Sequence, residues 1–180
     1  MTLLGLLAIG LCLRITVSDL YARRVPNTWL LAAIVLSVLL LAAGQFYAPR
    51  LPWLHHAAGA ALGLVALLPF YALRWMGAGD VKFFCVLGLM LGWQALLPIW
   101  IAASLAAGAH AAVVLVSRRL GMMLPGLQAQ AHRATSHWQS HPALRDMHNA
   151  RQGRQGIPYA AYLAMAATGW ILISTYGGQA

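Results

Sequence analysis

The sequence predicts an all-α protein, a polytopic membrane helix bundle of about six transmembrane helices, and two observations lead to that prediction. The 180 residues are 61% hydrophobic and only 8% charged, whereas an average soluble domain carries roughly a quarter charged residues. The apolar residues are also grouped into runs close to the about 20 residues that a helix needs to cross a bilayer. A soluble fold is therefore excluded, and residues 1–180 are expected to form a single membrane domain.

The predicted spans follow from the apolar runs and the polar segments between them. Their approximate limits are residues 2–17, 28–47, 53–73, 81–91, 95–116 and 157–176. The fourth span is short for a full crossing, and the predicted tight turn after it is Gly92-Trp93-Gln94. Between the fifth and sixth spans lies a basic, His-rich loop, at about residues 117–156, which is predicted to be cytoplasmic.

The basic residues predict the orientation of the bundle. With the N-terminus outside, all twelve Lys and Arg residues except Arg50 fall on the cytoplasmic side, as the positive-inside rule requires. Six spans then return the C-terminus to the outside. The net charge of +9 is interpreted as topology signals and contacts to anionic lipid head groups, and nucleic acid is not expected as a partner.

Carboxylate chemistry is confined to few residues, because the chain has only three acids, Asp19, Asp80 and Asp146. Asp19 follows the first span and Asp80 precedes the fourth, so both are predicted on the cytoplasmic face at similar depth. They can meet if these two spans are neighbours. Two close carboxylates divide their roles, because repulsion keeps one protonated while the other is ionised. Such a pair suits aspartic peptidase chemistry, which needs neither a metal nor another cofactor.

Each aspartate also has a purely structural interpretation. The segment Gly77-Ala78-Gly79-Asp80 fits a site where glycines let a substrate strand come close, but it also fits a loop followed by a helix N-cap. Asp19 lies near Arg23 and Arg24, which is compatible with a solvated interfacial charge. Asp146, in the basic loop, is expected to be a solvated or salt-bridged surface acid.

Cysteine and histidine give little support for a metal site. The two cysteines, Cys12 and Cys85, lie in apolar runs and the chain has no CxxC pair, which argues against a cysteine-ligated metal. The basic loop holds four histidines, namely His132, His137, His141 and His148. Two of them have a metal-compatible helical spacing, but no carboxylate or thiol constellation accompanies them. A solvated polar loop is the favoured interpretation, and no metal is predicted.

Two small-residue patterns indicate close helix packing. Gly59-xxx-Gly63 lies in the third span, and Gly88-xxx-Gly92 lies at the end of the fourth. Both fit the pattern that lets helix backbones approach closely in membranes. Because glycine is common in membrane helices, the alternative that they have no specific packing role stays open.

Three segments resemble the motifs of type IV prepilin peptidases. Residues 19–27, DLYARRVPN, look like the segment around the first catalytic aspartate of that family. Residues 77–82, GAGDVK, look like its GxGD motif with the Lys two residues later, and residues 156–159, GIPY, resemble its motif before the last span. The resemblance implies that Asp19 and Asp80 are the catalytic pair. It also implies a set of residues that shape or support the site, namely Gly77, Gly79, Lys82, Arg24, Pro26, Asn27 and Pro158.

The resemblance implies an aspartic endopeptidase that cleaves the basic leader peptide of prepilins and pseudopilins at the cytoplasmic face of the bacterial inner membrane. Larger family members carry paired CxxC motifs in an additional cytoplasmic region and also methylate the new N-terminus. This chain lacks those motifs and is similar to the short form found with Tad/Flp-type pilus systems, so no N-methyltransferase activity is expected. The long loop at residues 117–156 is a departure that the resemblance does not explain.

Two other classes of function compete with this one. A small proton-coupled transporter component would use intramembrane acids as an ion path, but Asp19 and Asp80 are predicted at the membrane edge and no internal repeat is evident. A non-enzymatic assembly subunit of a secretion complex would leave the GxGD segment unexplained.

Overall fold

Six helices, five long and one short, follow one another in the part of the chain that the computed structural model describes, namely residues 2–47, 53–123, 150–151 and 157–177. They are α1 (Leu3–Ala22), α2 (Asn27–Tyr47), α3 (Trp53–Ala72), α4 (Ala78–Leu91), α5 (Trp93–Met123) and α6 (Tyr159–Tyr176). No strand occurs among the described residues, and the all-α prediction is confirmed for them. Asp146 and the four histidines of the basic loop lie outside the described residues.

The long helices have the character of membrane spans. Among the described residues, α1, α2, α3 and α5 are long and apolar enough to cross a bilayer. Their outer faces carry large apolar side chains, such as Leu13, Leu39 and Leu105, which are each at least 60% exposed. Exposed apolar surface on this scale is typical of contact with lipid. The chain is therefore a multi-pass membrane protein built as a helical bundle.

The short helix α4 lies at the centre of the bundle. Its 14 residues give a length of about 21 Å, less than the about 30 Å of the hydrocarbon core. It packs against each of the other five helices, and Phe83, Leu87 and Met90 on it are at most 2% exposed. The other helices largely surround α4, so few of its residues contact lipid. For that reason α4 does not need the length of a full membrane span.

Helices α3 and α4 pack backbone against backbone. A Cβ on Gly59 would overlap the carbonyl oxygen of Gly88, and one on Gly88 would overlap that of Gly59. A Cβ on Gly63 would lie 2.8 Å from the carbonyl oxygen of Phe84. The close-packing interpretation of these three glycines is confirmed. Gly92 also packs against α3, because a Cβ on Gly59 would lie 2.8 Å from its carbonyl carbon and a Cβ on Gly92 would overlap the His55 ring. Its φ of 81° in addition makes the tight turn from α4 into α5 that a side chain would strain.

Three helices extend several residues beyond the spans that hydropathy predicts. α4 begins at Ala78 rather than at residue 81, so Asp80 lies in its first turn rather than before the helix. α1 continues to Ala22 and α5 to Met123, whereas the apolar runs end at residues 17 and 116. Hydropathy reports where apolar residues stop, but helical hydrogen bonding continues into polar residues. Asp19 therefore lies in the last turn of α1 rather than after the helix, and the segment predicted as a loop from residue 117 is helical up to Met123.

Candidate active site

Asp19 is held in the last turn of α1, where it is buried. The helix ends because Arg23 adopts a left-handed conformation (φ 51°), and its N–H donates to the Asp19 carbonyl oxygen at 3.0 Å. Asp19 is only 6% exposed, so its interpretation as a solvated interfacial charge is wrong. A buried carboxylate requires hydrogen-bond donors, and Asp19 Oδ2 accepts from the Ala161 N–H of α6 at 3.0 Å.

Asp80 lies in the first turn of α4, three residues after the N-cap Gly77. Its Oδ2 accepts from the Gly77 N–H at 3.3 Å, so the side chain satisfies one of the free donors at the start of its own helix. The segment is therefore a helix start, as the structural interpretation predicts, but the N-cap is Gly77 and Asp80 already belongs to the first turn of the helix. A carboxylate can accept several hydrogen bonds, and this one uses only part of that capacity on Gly77.

The N-terminus of α6 contacts both carboxylates. Pro158 is its N-cap and is buried. The backbone N–H of Ala160 interacts with both Asp19 and Asp80, next to the Ala161 N–H that donates to Asp19. A helix N-terminus presents unpaired N–H groups and a partial positive charge, which stabilise a nearby negative charge. The start of α6 therefore joins the end of α1 and the start of α4 into one site.

The charges of the two aspartates influence each other. Burial raises the pKa of Asp80, which precedes the apolar residues of α4, to about 7, and the negative charge of Asp19 contributes to this rise. The backbone N–H groups of Gly77 and Ala160 act in the opposite direction. Near neutral pH the pair can therefore hold one proton between its two members, and the two groups titrate as a unit.

One cavity of about 960 Å³ contains both carboxylates. Of the residues that the sequence singles out, those lining it are Asp19, Asp80, Arg24, Pro26, Asn27, Gly77, Gly79 and Lys82. Pro158 does not line the cavity, because it is buried at the cap of α6. The fold thus brings the α1–α2 connection and the GxGD segment to the same place.

Gly79 and Lys82 both make contacts with the α1–α2 connection. A Cβ on Gly79 would lie 3.0 Å from the Cβ of Val25, so the α1–α2 connection already occupies the close approach that the sequence assigns to a substrate. Lys82 Nζ donates to Asn27 Oδ1 at 3.4 Å, which links α4 to the first residue of α2. Both contacts hold the α1–α2 connection against the start of α4.

Sequence reasoning missed several residues of the site. The further lining residues are Arg23, Val25, Ala78, Ile157 and Tyr159. Ile157 and Tyr159 belong to the GIPY segment, so the motif could have predicted that they line the site. Nothing in the sequence distinguishes Arg23 from Arg24. The Tyr159 hydroxyl lies 3.0 Å from Ser104 Oγ and ties the site to α5. Ser104 is a single hydroxyl in an apolar span, and nothing in the sequence indicates that it contacts the site.

The chemical groups in the cavity define what it can do. Within the described part of the chain, no group of three or more His, Cys, Asp or Glu side chains is arranged to hold a metal ion. The cavity does offer two carboxylates, backbone N–H donors and the cations of Arg23, Arg24 and Lys82. Paired carboxylates that share a proton can activate water and polarise a carbonyl group.

Comparison with known proteins agrees with the sequence motifs. The sequence model of the type IV leader peptidase family matches residues 6–112, which is more than half of the 180 residues and includes both aspartates. Searches of curated proteins and of solved structures gave no significant match. The family suggested by the resemblance is therefore confirmed, and the chain belongs to the type IV leader peptidase family.

Proposed function

We propose that this chain is an aspartic endopeptidase that removes the leader peptide of Flp-like type IV prepilins or pseudopilins, with Asp19 and Asp80 as its catalytic pair. One observation carries the proposal. The two aspartates come from helices far apart in the sequence, yet they line one cavity and share the backbone N–H of Ala160 in α6. Two of the three acids in the chain are thus placed together, in a family of leader peptidases.

The proposed reaction is hydrolysis by a water molecule held between the carboxylates. The ionised carboxylate takes a proton from the water, whose oxygen attacks the scissile carbonyl carbon, while the protonated carboxyl donates its proton to the carbonyl oxygen. The first carboxyl group then protonates the leaving amine as the C–N bond breaks. The second carboxylate recovers a proton from the tetrahedral intermediate, which restores the starting state. The N–H groups of α6 keep both carboxylates in position.

The proposed orientation places the cavity at the cytoplasmic face of the bacterial inner membrane. Arg23, Arg24 and Lys82 line the cavity, and α5 carries Arg118 and Arg119 toward the same end of the bundle. Positive side chains concentrate on the cytoplasmic side of membrane proteins and favour anionic head groups there. The transporter alternative fits this arrangement less well, because both aspartates lie at one end of the bundle rather than along a path through it.

Cleavage is tested directly by co-expressing the chain with a Flp-like prepilin and measuring the mass of the pilin. We expect the leader to be removed and the new N-terminus to be unmethylated, because the chain has no CxxC motif. The matched control is the Asp19→Asn/Asp80→Asn double variant, which should leave the precursor mass unchanged. An uncut precursor with the wild-type chain would contradict the peptidase proposal, and a methylated N-terminus would contradict the short-form assignment.

The pH dependence of cleavage gives a second test. Because the pKa of Asp80 is raised to about 7, the pair loses its shared proton as the pH rises through that value. We expect kcat/KM, which reports the free enzyme, to fall about tenfold per pH unit above pH ~7 and to change little just below it. Cleavage of a purified prepilin in detergent measures this, with the folded state checked by circular dichroism at each pH. A profile that stays level to pH 9 would disagree with a shared proton.

A further inference from the structure

A second cavity, of about 830 Å³, adjoins the one that holds the aspartate pair. The two cavities share four lining residues, namely Gly77, Asp80, Ile157 and Tyr159. Asp80 therefore lies at their junction. A peptide bond placed for attack at Asp80 would have one cavity on each side.

The second cavity has a different chemical character from the first. One wall is aromatic and apolar, because Phe70 lies 6.1 Å from Trp75 and 6.3 Å from Trp100 between ring centroids, and Met76 adjoins them. Arg74 is the one charged side chain besides Asp80 among its described lining residues. The first cavity is instead lined by three cations and the Asn27 amide.

A strip of small side chains on α5, which continues the helix face of Trp100, forms another part of the lining of the second cavity. Its members, Ser104, Ala107, Gly108 and Ala111, follow an i, i+3, i+4, i+7 pattern and so share one helix face. The hydroxyl of Tyr159 contacts Ser104 Oγ at 3.0 Å, which fixes this strip against the start of α6. The strip lies within α5, which is long and apolar enough to span a membrane, whereas Arg74 and Asp80 line another part of the same cavity.

We propose that the second cavity is the subsite that receives apolar side chains on the membrane side of the scissile bond. The inference rests on the proposed peptidase function and adds the residues that select its substrate. A substrate cut at the edge of a membrane has polar residues on the water side of the cut and apolar residues on the membrane side. The two cavities meeting at Asp80 match that division, and a volume of about 830 Å³ is within the range of sites that enclose small ligands.

Gly108 allows the subsite to be filled without disturbing the fold. Gly108 lines the second cavity and a Cβ on it meets no atom within 4 Å, so a leucine at this position has room to reduce the cavity without a clash. The matched control is Gly10→Leu on α1. A Cβ on Gly10 also meets nothing within 4 Å, and Gly10 lines neither cavity. The probes are two versions of one Flp-like prepilin, with Phe or Ala as the first residue after the cut bond.

We expect Gly108→Leu to lower kcat/KM for the Phe substrate by about tenfold or more, in the range that pocket contacts with apolar groups supply. The Ala substrate should change by less than about twofold, and Gly10→Leu should match the wild type on both. Equal cleavage of both substrates by Gly108→Leu and wild type, or equal losses on both, would overturn the subsite. If the wild type cuts neither substrate, the proposed peptidase function fails and the inference fails with it, which is a distinguishable result.

Discussion

Asp80→Asn and Asp19→Asn should each reduce leader cleavage by roughly 10²–10⁴-fold, the range associated with loss of a general acid or base. Asn has the size of Asp and keeps an oxygen that can accept the N–H of Ala161 at position 19 or of Gly77 at position 80. The fold should therefore survive. What each variant lacks is a group that can exchange a proton with the attacking water or the scissile carbonyl.

The loss should appear in kcat rather than in KM, because neither variant removes a residue that holds the substrate away from the reacting bond. The double variant should be no worse than the more impaired single variant, since the two carboxylates act as a unit. Asp146→Asn provides the matched control and should cleave like the wild type. Single-turnover measurements on a purified prepilin separate these outcomes, and near-normal cleavage by either single variant would end the dyad hypothesis.

The meeting of the two aspartates is the part of the site that the sequence predicts best. Hydropathy and the positions of the basic residues put Asp19 and Asp80 at the same end of the bundle. With only three acids in the chain, few other carboxylate pairs are available. What the sequence alone does not supply is the neighbour relation of α1 and α4, which depends on how all the helices pack around the short α4.

The role of α6 was beyond sequence reasoning for a physical reason. Ala161 donates to Asp19 across 142 positions of sequence, through a backbone N–H that every residue other than proline possesses. The type of residue at a position therefore does not indicate that its N–H is a donor to the site. The motif GIPY marks where α6 begins, because Pro158 caps it, but only the folded chain places the N–H groups of Ala160 and Ala161 in the first turn of α6 beside the carboxylates.

The glycines of the Gly77–Asp80 segment make a contact that differs from the one that the sequence predicts. The sequence suggests that small residues admit a substrate strand beside Asp80. In the structure the close approach to Gly79 is taken by Val25, a residue of the α1–α2 connection. The motif therefore supports the site at least partly by packing, because it lets two segments that both line the cavity lie against each other.

Gly88→Ala should destabilise the protein by about 1–3 kcal/mol or more, as expected for overpacking a tight contact, although it adds a single methyl group. The new Cβ would overlap the backbone of Gly59, and a backbone can move aside only if α3 and α4 separate. The matched control is Gly169→Ala on α6, where a Cβ meets nothing within 4 Å. There the change should be neutral or stabilising by about 0.5–1 kcal/mol, because alanine favours the helix.

Thermal unfolding in detergent should therefore shift in opposite directions, or at least by very different amounts, for the same substitution at these two positions. Equal midpoints for Gly88→Ala and Gly169→Ala would contradict the close contact of α3 with α4. A folded fraction of Gly88→Ala should also cleave poorly, because moving α4 away from α3 moves Asp80, in its first turn, relative to Asp19 on α1. The backbone contact between two glycines would then set the geometry of a carboxylate pair at the other end of the same helix.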